Sequence, residues 1–229
     1  MENEQSSSRA AVPATPPTPV AAAKAEIRRR VWRRLIDHGV GLGSVVGSIP
    51  NFVGSDAAAD RLAPLPEWQT ARTVMANPDW AQEPVRRRAL LDGKLLFMAV
   101  PGLAGPDPFY RLDPATLGAD VARAADRHVA ARLAPTVSVT DMPLIDLIVC
   151  GSVAVNYEGV RIGKGAGYSD REIGMLAEAG LVTSETKIVT TVHELQVVDE
   201  VLPEEGHDYA VDWVVTGEGV VRCSRQDSS

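Results

Sequence analysis

Residues 144–172 read LIDLIVCGSVAVNYEGVRIGKGAGYSDRE, and the fold class is decided here. Leu144–Cys150 is an apolar run broken only by Asp146, the profile of a strand buried inside a sheet. Gly159 allows a tight turn, and Gly163, Gly165 and Gly167 then alternate in GKGAGYSD. Glycines at that density let backbone N–H groups converge on one concavity. Ser169 and Glu172 fit an S-x-x-E capping box with Ile173, Met175 and Leu176 behind it, which predicts a helix near 170–179. A Gly-rich turn that delivers its amides to a helix N-terminus suits phosphate oxygens, and Arg161 and Lys164 add positive charge at the same place. The pattern is GxGxG, neither the P-loop GxxxxGK[ST] nor the dinucleotide GxGxxG. The glycines alone read equally as a phosphate cradle or as a structural turn. Asp170 reads equally as a Mg²⁺ ligand or as a helix-capping carboxylate.

Working outward, strands and helices alternate. Upstream, residues 71–76 predict a strand stopped by the turn Asn77-Pro78-Asp79, and Pro84 opens a helix that runs through Leu91 to Gly93. Leu95–Val100 is a second buried strand, followed by a loop over 101–108, and the Ala-rich stretch 119–132 predicts a helix. Downstream, Lys187–Val192, Asp212–Thr216 and Val220–Cys223 are further strands. Near the start, Ile27, Val31 and Leu35 recur every fourth residue with Trp32 beside them, a helix that Gly39 ends. Ser55 is positioned to cap a short helix to Leu62. The alternation argues for an α/β three-layer domain with a mostly parallel sheet, spanning 24–223. Residues 1–23, rich in Ser, Pro and Ala without an aromatic, predict a disordered tail, and 224–229 a short polar one.

Composition narrows the function classes. The chain has 229 residues, 45% hydrophobic and 23% charged, with net charge −7. That balance argues against broad binding of nucleic acid or anionic membrane, and 5% aromatics argues against base stacking. No apolar stretch is long enough to span a bilayer. Cys150 and Cys223 stand far apart with no Cys/His cluster, which excludes a structural zinc motif and fits a reduced, cytoplasmic protein.

The stretch DLIVCGSVAVNYEGVRIGKGAGYSDRE resembles the signature of the 5-formyltetrahydrofolate cyclo-ligase (methenyltetrahydrofolate synthetase) family, a DLvivP strand followed by RLGyGgGYYDR. Arg161, Gly163, Gly165, Gly167, Tyr168, Asp170 and Arg171 match position by position. The wording is closer still to the divergent branch of methenyltetrahydrofolate synthetase domain-containing proteins. KAEIRRRVW at 24–32, IPNF at 49–52, NPD at 77–79 and the series Gln196, Pro203, His207-Asp208, Thr216 agree with that branch. The resemblance implies a fold of the type shared with ribose-5-phosphate isomerase and CoA transferases. It implies ATP and Mg²⁺, and a reaction in which the formyl oxygen of 5-formyltetrahydrofolate attacks the γ-phosphate before the ring closes with loss of phosphate. It implies that Lys24 and Arg28, four apart on one helix face, contact ATP phosphates. Arg161 and Lys164 join Lys24 in neutralising the transferring group. Gly163, Lys164, Gly165, Ala166, Gly167 and Tyr168 form the nucleotide loop, and Asp170 holds the metal. Tyr168 stacks on a ring or packs the loop.

Departures bear on the substrate. Ala166 replaces a glycine, Ser169 a tyrosine, and Lys164 stands where tyrosine is common. The loop MAVPGLAG at 98–105 lacks the branch's arginine. The nucleotide half of the site looks kept and the substrate half altered. The expected partner is therefore a reduced folate or another formamide or amide, bound by a monomer or homodimer. The rival readings are the same ATP chemistry on a non-folate amide, or a non-catalytic nucleotide or folate sensor, an RNA-associated module included. His193-Glu194 reads as a pocket pair or a surface turn, His207-Asp208 as a local turn, and Cys150 as a buried small hydrophobe.

Overall fold

The computed structural model describes residues 18–224, so the tail expected over 1–23 falls largely outside the described residues, as do 225–229. The first helix, α1 (Pro19–Asp37), starts five residues before Lys24. Pro19 sits at a tolerated first-turn position, and the Thr18 hydroxyl caps the Ala21 N–H at 3.1 Å. The chain continues through β1 (Gly41–Leu42), β2 (Asn51–Phe52), α2 (Ser55–Leu62), α3 (Pro66–Thr70), β3 (Thr73–Ala76), α4 (Glu83–Leu91), β4 (Leu95–Ala99) and β5 (Phe109–Leu112). Then come α5 (Pro114–Leu117), α6 (Arg127–Leu133), β6 (Thr136–Val137), β7 (Leu147–Cys150), β8 (Ala154–Val155) and β9 (Arg161–Ile162). The last elements are α7 (Tyr168–Glu178), β10 (Lys187–Thr191), β11 (Trp213–Val215) and β12 (Val220–Arg222).

Eight strands form the central sheet in the order β12-β11-β10-β7-β3-β4-β5-β6. β11, β10, β7, β3 and β4 run parallel. β12 at one edge and β5 and β6 at the other are antiparallel, which makes the sheet mixed but mostly parallel. The expected three-layer α/β architecture stands. Side chains alternate across it with the period of two that strands impose: Val74 and Ala76 face one layer and Met75 the other. The first layer carries Ile27, Val31 and Trp32 of α1, with Leu62 of α2 and Val85 and Ala89 of α4. The second is closed by Ile173 and Leu176 of α7 with Met142 and Ile145. Cys150 is fully buried there, as expected of a small hydrophobe, and burial raises its thiol pKa. No helix among the described residues is long and apolar enough to cross a membrane.

Local departures from the sequence reading have local causes. Gly54, at φ 95°, occupies the N-cap of α2, so Ser55 is its first helical residue rather than its cap. The helix expected over 119–132 breaks into 3₁₀ turns at Gly118–Asp120 and Arg123–Ala125 before α6. Asp126 causes the break: its carboxylate caps the His128 and Val129 N–H groups at 2.7 and 3.0 Å. The strand expected from Leu144 begins at Leu147, because the Asp146 carboxylate instead accepts the Arg72 and Thr73 N–H groups, both at 2.8 Å. β5 carries no clear strand pattern in the sequence, because Arg111 interrupts a short apolar run.

Gly159 turns the chain between β8 and β9 at φ 87°, and a Cβ there would stand 2.1 Å from the Val211 carbonyl oxygen. Gly159→Ala therefore combines left-handed strain with overpacking, and is expected to cost about 2–4 kcal/mol in urea unfolding. A loss below about 1 kcal/mol would mean that the hairpin and the segment before β11 part easily.

Candidate active site

The parallel strands reverse direction of addition between β3 and β7: β4 lies on one side, β10 and β11 on the other. Such a switch point leaves a crevice at the carboxyl ends of the strands. Two segments leave it, Asn77-Pro78-Asp79 after β3 and Gly151-Ser152 after β7. Asn77 joins them. Its N–H reaches the Val149 carbonyl at 3.1 Å, and its Oδ1 accepts the Gly151 N–H at 2.9 Å. Arg86, fully buried, holds the turn from beneath by donating to the carbonyls of Asn77 (2.5 Å), Asp79 (2.9 Å) and Ala125 (2.8 Å). Burial pushes its guanidinium down to about 10, still charged at neutral pH. In sequence Arg86 sits in an Arg-Arg-Arg run with no local mark that separates it from its neighbours, so this role left no signal.

The glycine loop follows β9. Gly165 and Gly167 take φ of 106° and 65°, conformations that side chains resist. Among the described residues the N–H groups of 164–167 donate no hydrogen bond, which leaves them for a ligand or water. A Cβ on Gly165 would stand 3.4 Å from the Arg28 guanidinium, so a side chain there would intrude on the cradle. Arg28 Nε donates to the Gly163 carbonyl at 2.6 Å and ties α1 to the loop. Lys24, Arg28, Arg161, Gly163, Gly165, Gly167 and Asp170 line a cavity of about 170 Å³ together with Glu205, His207 and Asp208.

Lys24 is 6% exposed and donates to Glu205 Oε2 (2.9 Å) and Asp208 Oδ2 (2.5 Å). Burial pulls its pKa down, but the hydrogen bonds to the two carboxylates outweigh that, and it stands above the ordinary lysine value. Asp208 mirrors this: burial pushes it up, and the Lys24 and Glu205 N–H hydrogen bonds hold it below the usual carboxylate range. His207-Asp208 is therefore more than a local turn, since Asp208 anchors α1 from 184 residues away. Arg161 is buried, donating to Asp170 Oδ1 at 2.5 Å and to the Tyr209 carbonyl at 3.0 Å. Asp170 Oδ1 also accepts the Tyr209 N–H at 3.1 Å. Asp170 is neither a helix cap nor a free carboxylate, and its Oδ1 is already engaged.

The predicted capping box does not form. Gly167 is the N-cap of α7, and Ser169 and Glu172 both turn toward Asn77 instead. Ser169 Oγ donates to Asn77 Oδ1 at 2.9 Å, and Asn77 Nδ2 donates to Glu172 Oε2 at 2.5 Å. Glu172 is 4% exposed. Burial, reinforced by the Asp79 charge, pushes its carboxyl up to about 8. Glu172 and Asn77 line a second cavity of about 470 Å³ together with Asp79, Lys164, Tyr168, Met98, Val100 and Tyr110. Lys164 pairs with Asp79 at 3.2 Å, and Arg171 stacks over the Tyr168 ring at 4.6 Å. Arg161, Gly163, Gly167 and Asp170 belong to both cavities.

Of the residues singled out in sequence, Lys24, Arg28, Arg161, Gly163, Gly165, Gly167 and Asp170 meet at the small cavity, and Lys164 and Tyr168 at the large one. Ala166 lines neither; its carbonyl accepts from Arg171 at 3.0 Å. His193 caps the 3₁₀ turn Glu194–Gln196 and meets Phe52 edge-on at 6.1 Å, a structural role away from both cavities. Asn77, Asp79, Glu172 and Glu205 were missed as site residues. The Asn-Pro-Asp turn after a strand end was the one available signal.

The sheet and its switch-point site place the chain among the three-layer α/β proteins whose ligand sites lie at the carboxyl ends of parallel strands. More closely, it belongs to the 5-formyltetrahydrofolate cyclo-ligase family, whose sequence pattern it matches over residues 20–217. Its relatives include the methenyltetrahydrofolate synthase domain-containing proteins of Mus musculus (37% identical; 91% of this chain, 58% of that protein) and Homo sapiens (35%; 91% and 56%). The chain thus spans a little over half the length of the curated relatives it matches. The NMR structure of Aquifex aeolicus 5,10-methenyltetrahydrofolate synthetase superposes with a TM-score of 0.55 at 22% identity, covering 90% of this chain and 94% of that one. That likeness carries the fold.

Proposed function

We propose that the chain is an ATP-dependent cyclo-ligase that phosphorylates a formamide oxygen and closes a ring with release of phosphate. Its substrate in this reading is 5-formyltetrahydrofolate and its product 5,10-methenyltetrahydrofolate. The observation that supports this most is the wall that the two cavities share: a triphosphate in the small cavity, among its three cations and three carboxylates, would present its terminal group to a substrate in the larger one. ATP supplies the phosphoryl group, and Mg²⁺ neutralises charge on the phosphates. The formyl oxygen bonds to the γ-phosphorus as the bond to ADP breaks. The neighbouring nitrogen then attacks the formyl carbon and loses its proton, and inorganic phosphate leaves.

The chain's own part is to position and to neutralise. Lys24, Arg28 and Arg161 supply cations, and the amides of 164–167 supply donors; Arg28 and Arg161 are held beforehand by the carbonyls of Gly163 and Tyr209. Asp170 lines the same cavity as Glu205 and Asp208, and these carboxylates are the oxygen donors that would suit Mg²⁺. Lys24 would meet a phosphate by exchanging its carboxylate partners Glu205 and Asp208, and those carboxylates would then be available to hold the metal. Mixing the protein with ATP, Mg²⁺ and 5-formyltetrahydrofolate is expected to give the near-ultraviolet absorbance of the methenyl product only when ATP is present. Lys24→Ala and Arg28→Ala are each expected to lower the rate by about 10²–10³-fold. A flat trace from protein that binds ATP would exclude the folate substrate. Lys164, paired with Asp79 on the large cavity's wall, favours a second reading, the same chemistry on another formamide or amide. Phosphate release with such a compound and none with 5-formyltetrahydrofolate would select it.

A further inference from the structure

The large cavity holds a polar group that the chemistry above does not use. Glu172 comes from the first turns of α7, is 4% exposed, and lines the cavity. Its Oε2 accepts the Asn77 amide N–H, while its Oε1 has no hydrogen-bond partner among the described residues. The orientation of Asn77 is not adjustable. Its Oδ1 must face the Gly151 N–H, a donor only, and it also receives Ser169 Oγ. Its NH₂ is thereby committed to Glu172, and Arg86 pins the backbone of the same residue. A carboxyl seated this firmly, with one oxygen that only cavity water meets, is a ready partner for a polar group on a ligand that displaces that water. The same cavity presents Ile49, Met98, Val100 and Tyr110 beside the charged Asp79, Arg127 and Lys164, a lining that suits a ring with apolar faces and polar edges.

We infer that Glu172 is a specificity-determining residue: its Oε1, held in place by Asn77, makes the hydrogen bond that orients the substrate's nitrogen heterocycle in the large cavity. This rests on the cyclo-ligase reading for the kind of substrate, and on the cavity's own geometry for the residue. Glu172 touches the ring rather than the reacting formyl group, so it governs binding and register more than the chemical step.

The test measures the affinity of free pterin and, separately, of ATP for the wild type, Glu172→Leu and Glu172→Gln by isothermal titration. Pterin is expected to bind the wild type, to bind E172L at least tenfold more weakly, and to bind E172Q within threefold of wild type, because the amide restores a hydrogen-bonding group at the same place. ATP affinity is expected to stay unchanged throughout. If E172L does not fold, Glu172→Ala carries the same expectation. Equal pterin affinity in the wild type and the apolar variant overturns the inference, and so does an absence of pterin binding to the wild type. Turnover separates it from the reading it rests on. Glu172-dependent pterin binding without ATP-dependent ring closure sustains the inference and ends the cyclo-ligase reading. Ring closure that E172L leaves unchanged in KM and kcat does the reverse.

Discussion

Arg161→Ala is expected to lower the stability of the fold by about 3–5 kcal/mol, the range for removing one partner of a buried ion pair. The Arg161 side chain is 2% exposed and that of Asp170 16%, so water does little to screen either. The guanidinium bonds Asp170 Oδ1 and the Tyr209 carbonyl together, and Asp170 in turn receives the Tyr209 N–H. Truncation leaves a carboxylate with a single backbone donor and a carbonyl with no partner from Arg161. The network joins β9, the start of α7 and the segment before β11, so the damage reaches three parts of the chain. Arg161→Lys keeps the charge but cannot fork between two acceptors, and its loss is expected to be smaller yet still above about 1 kcal/mol. The double variant Arg161→Ala/Asp170→Asn removes both charges and is expected to be more stable than Arg161→Ala alone. Urea unfolding of the three proteins checks this. A loss below about 1 kcal/mol for Arg161→Ala would show that the pair is solvated and does not hold the loop.

The network also explains what the sequence could tell and what it could not. The strand at 147–150, the helix behind it and the glycine loop between them follow from local patterns: an apolar run, a 3.6-residue period, glycines at fixed offsets. Those signals do not depend on the rest of the chain, and the order of sheet and helix came out of them. The antiparallel strand β5 did not, because Arg111 interrupts its apolar run and its pairing with β4 is a tertiary fact. The site divides in the same way. Lys24 and Arg28 were found through their match to a family, since a basic helix face has no local mark that separates ligand-facing from solvated positions. Asp208 lies 184 residues from Lys24, and no spacing rule links them. Ser169 and Glu172 carried a true local signal, the capping-box spacing, that the structure overrides. Gly167 takes the N-cap in a left-handed conformation, and Asn77, in the turn after β3, offers both side chains a buried partner. A tertiary partner that is buried and rigid outcompetes a cap that is exposed to water.

Between about pH 4.5 and 8 the wild type is expected to lose stability relative to Glu172→Gln as the pH rises, by at most about 4–5 kcal/mol in total. The sign follows from which state holds the proton. Unfolded, Glu172 ionises near its ordinary value of 4.5; folded, burial and the Asp79 charge hold its proton up to about 8. Across that window the folded state binds more protons than the unfolded one, so raising the pH favours unfolding. The contribution is full below pH 4.5 and gone above about 8. Glutamine keeps the shape and the Asn77 contact but has no proton to lose, so the difference between the two proteins isolates this group from the other carboxylates. Asp79→Asn removes the second cause of the shift and is expected to lower the folded-state value and flatten the wild-type dependence. Urea unfolding at pH 5, 7 and 9 in the presence of a chelator gives the comparison directly. Parallel stability curves for wild type and Glu172→Gln would show that the carboxyl is ionised in the folded protein at neutral pH. Cavity water at Oε1 would then outweigh the burial of the rest of the side chain.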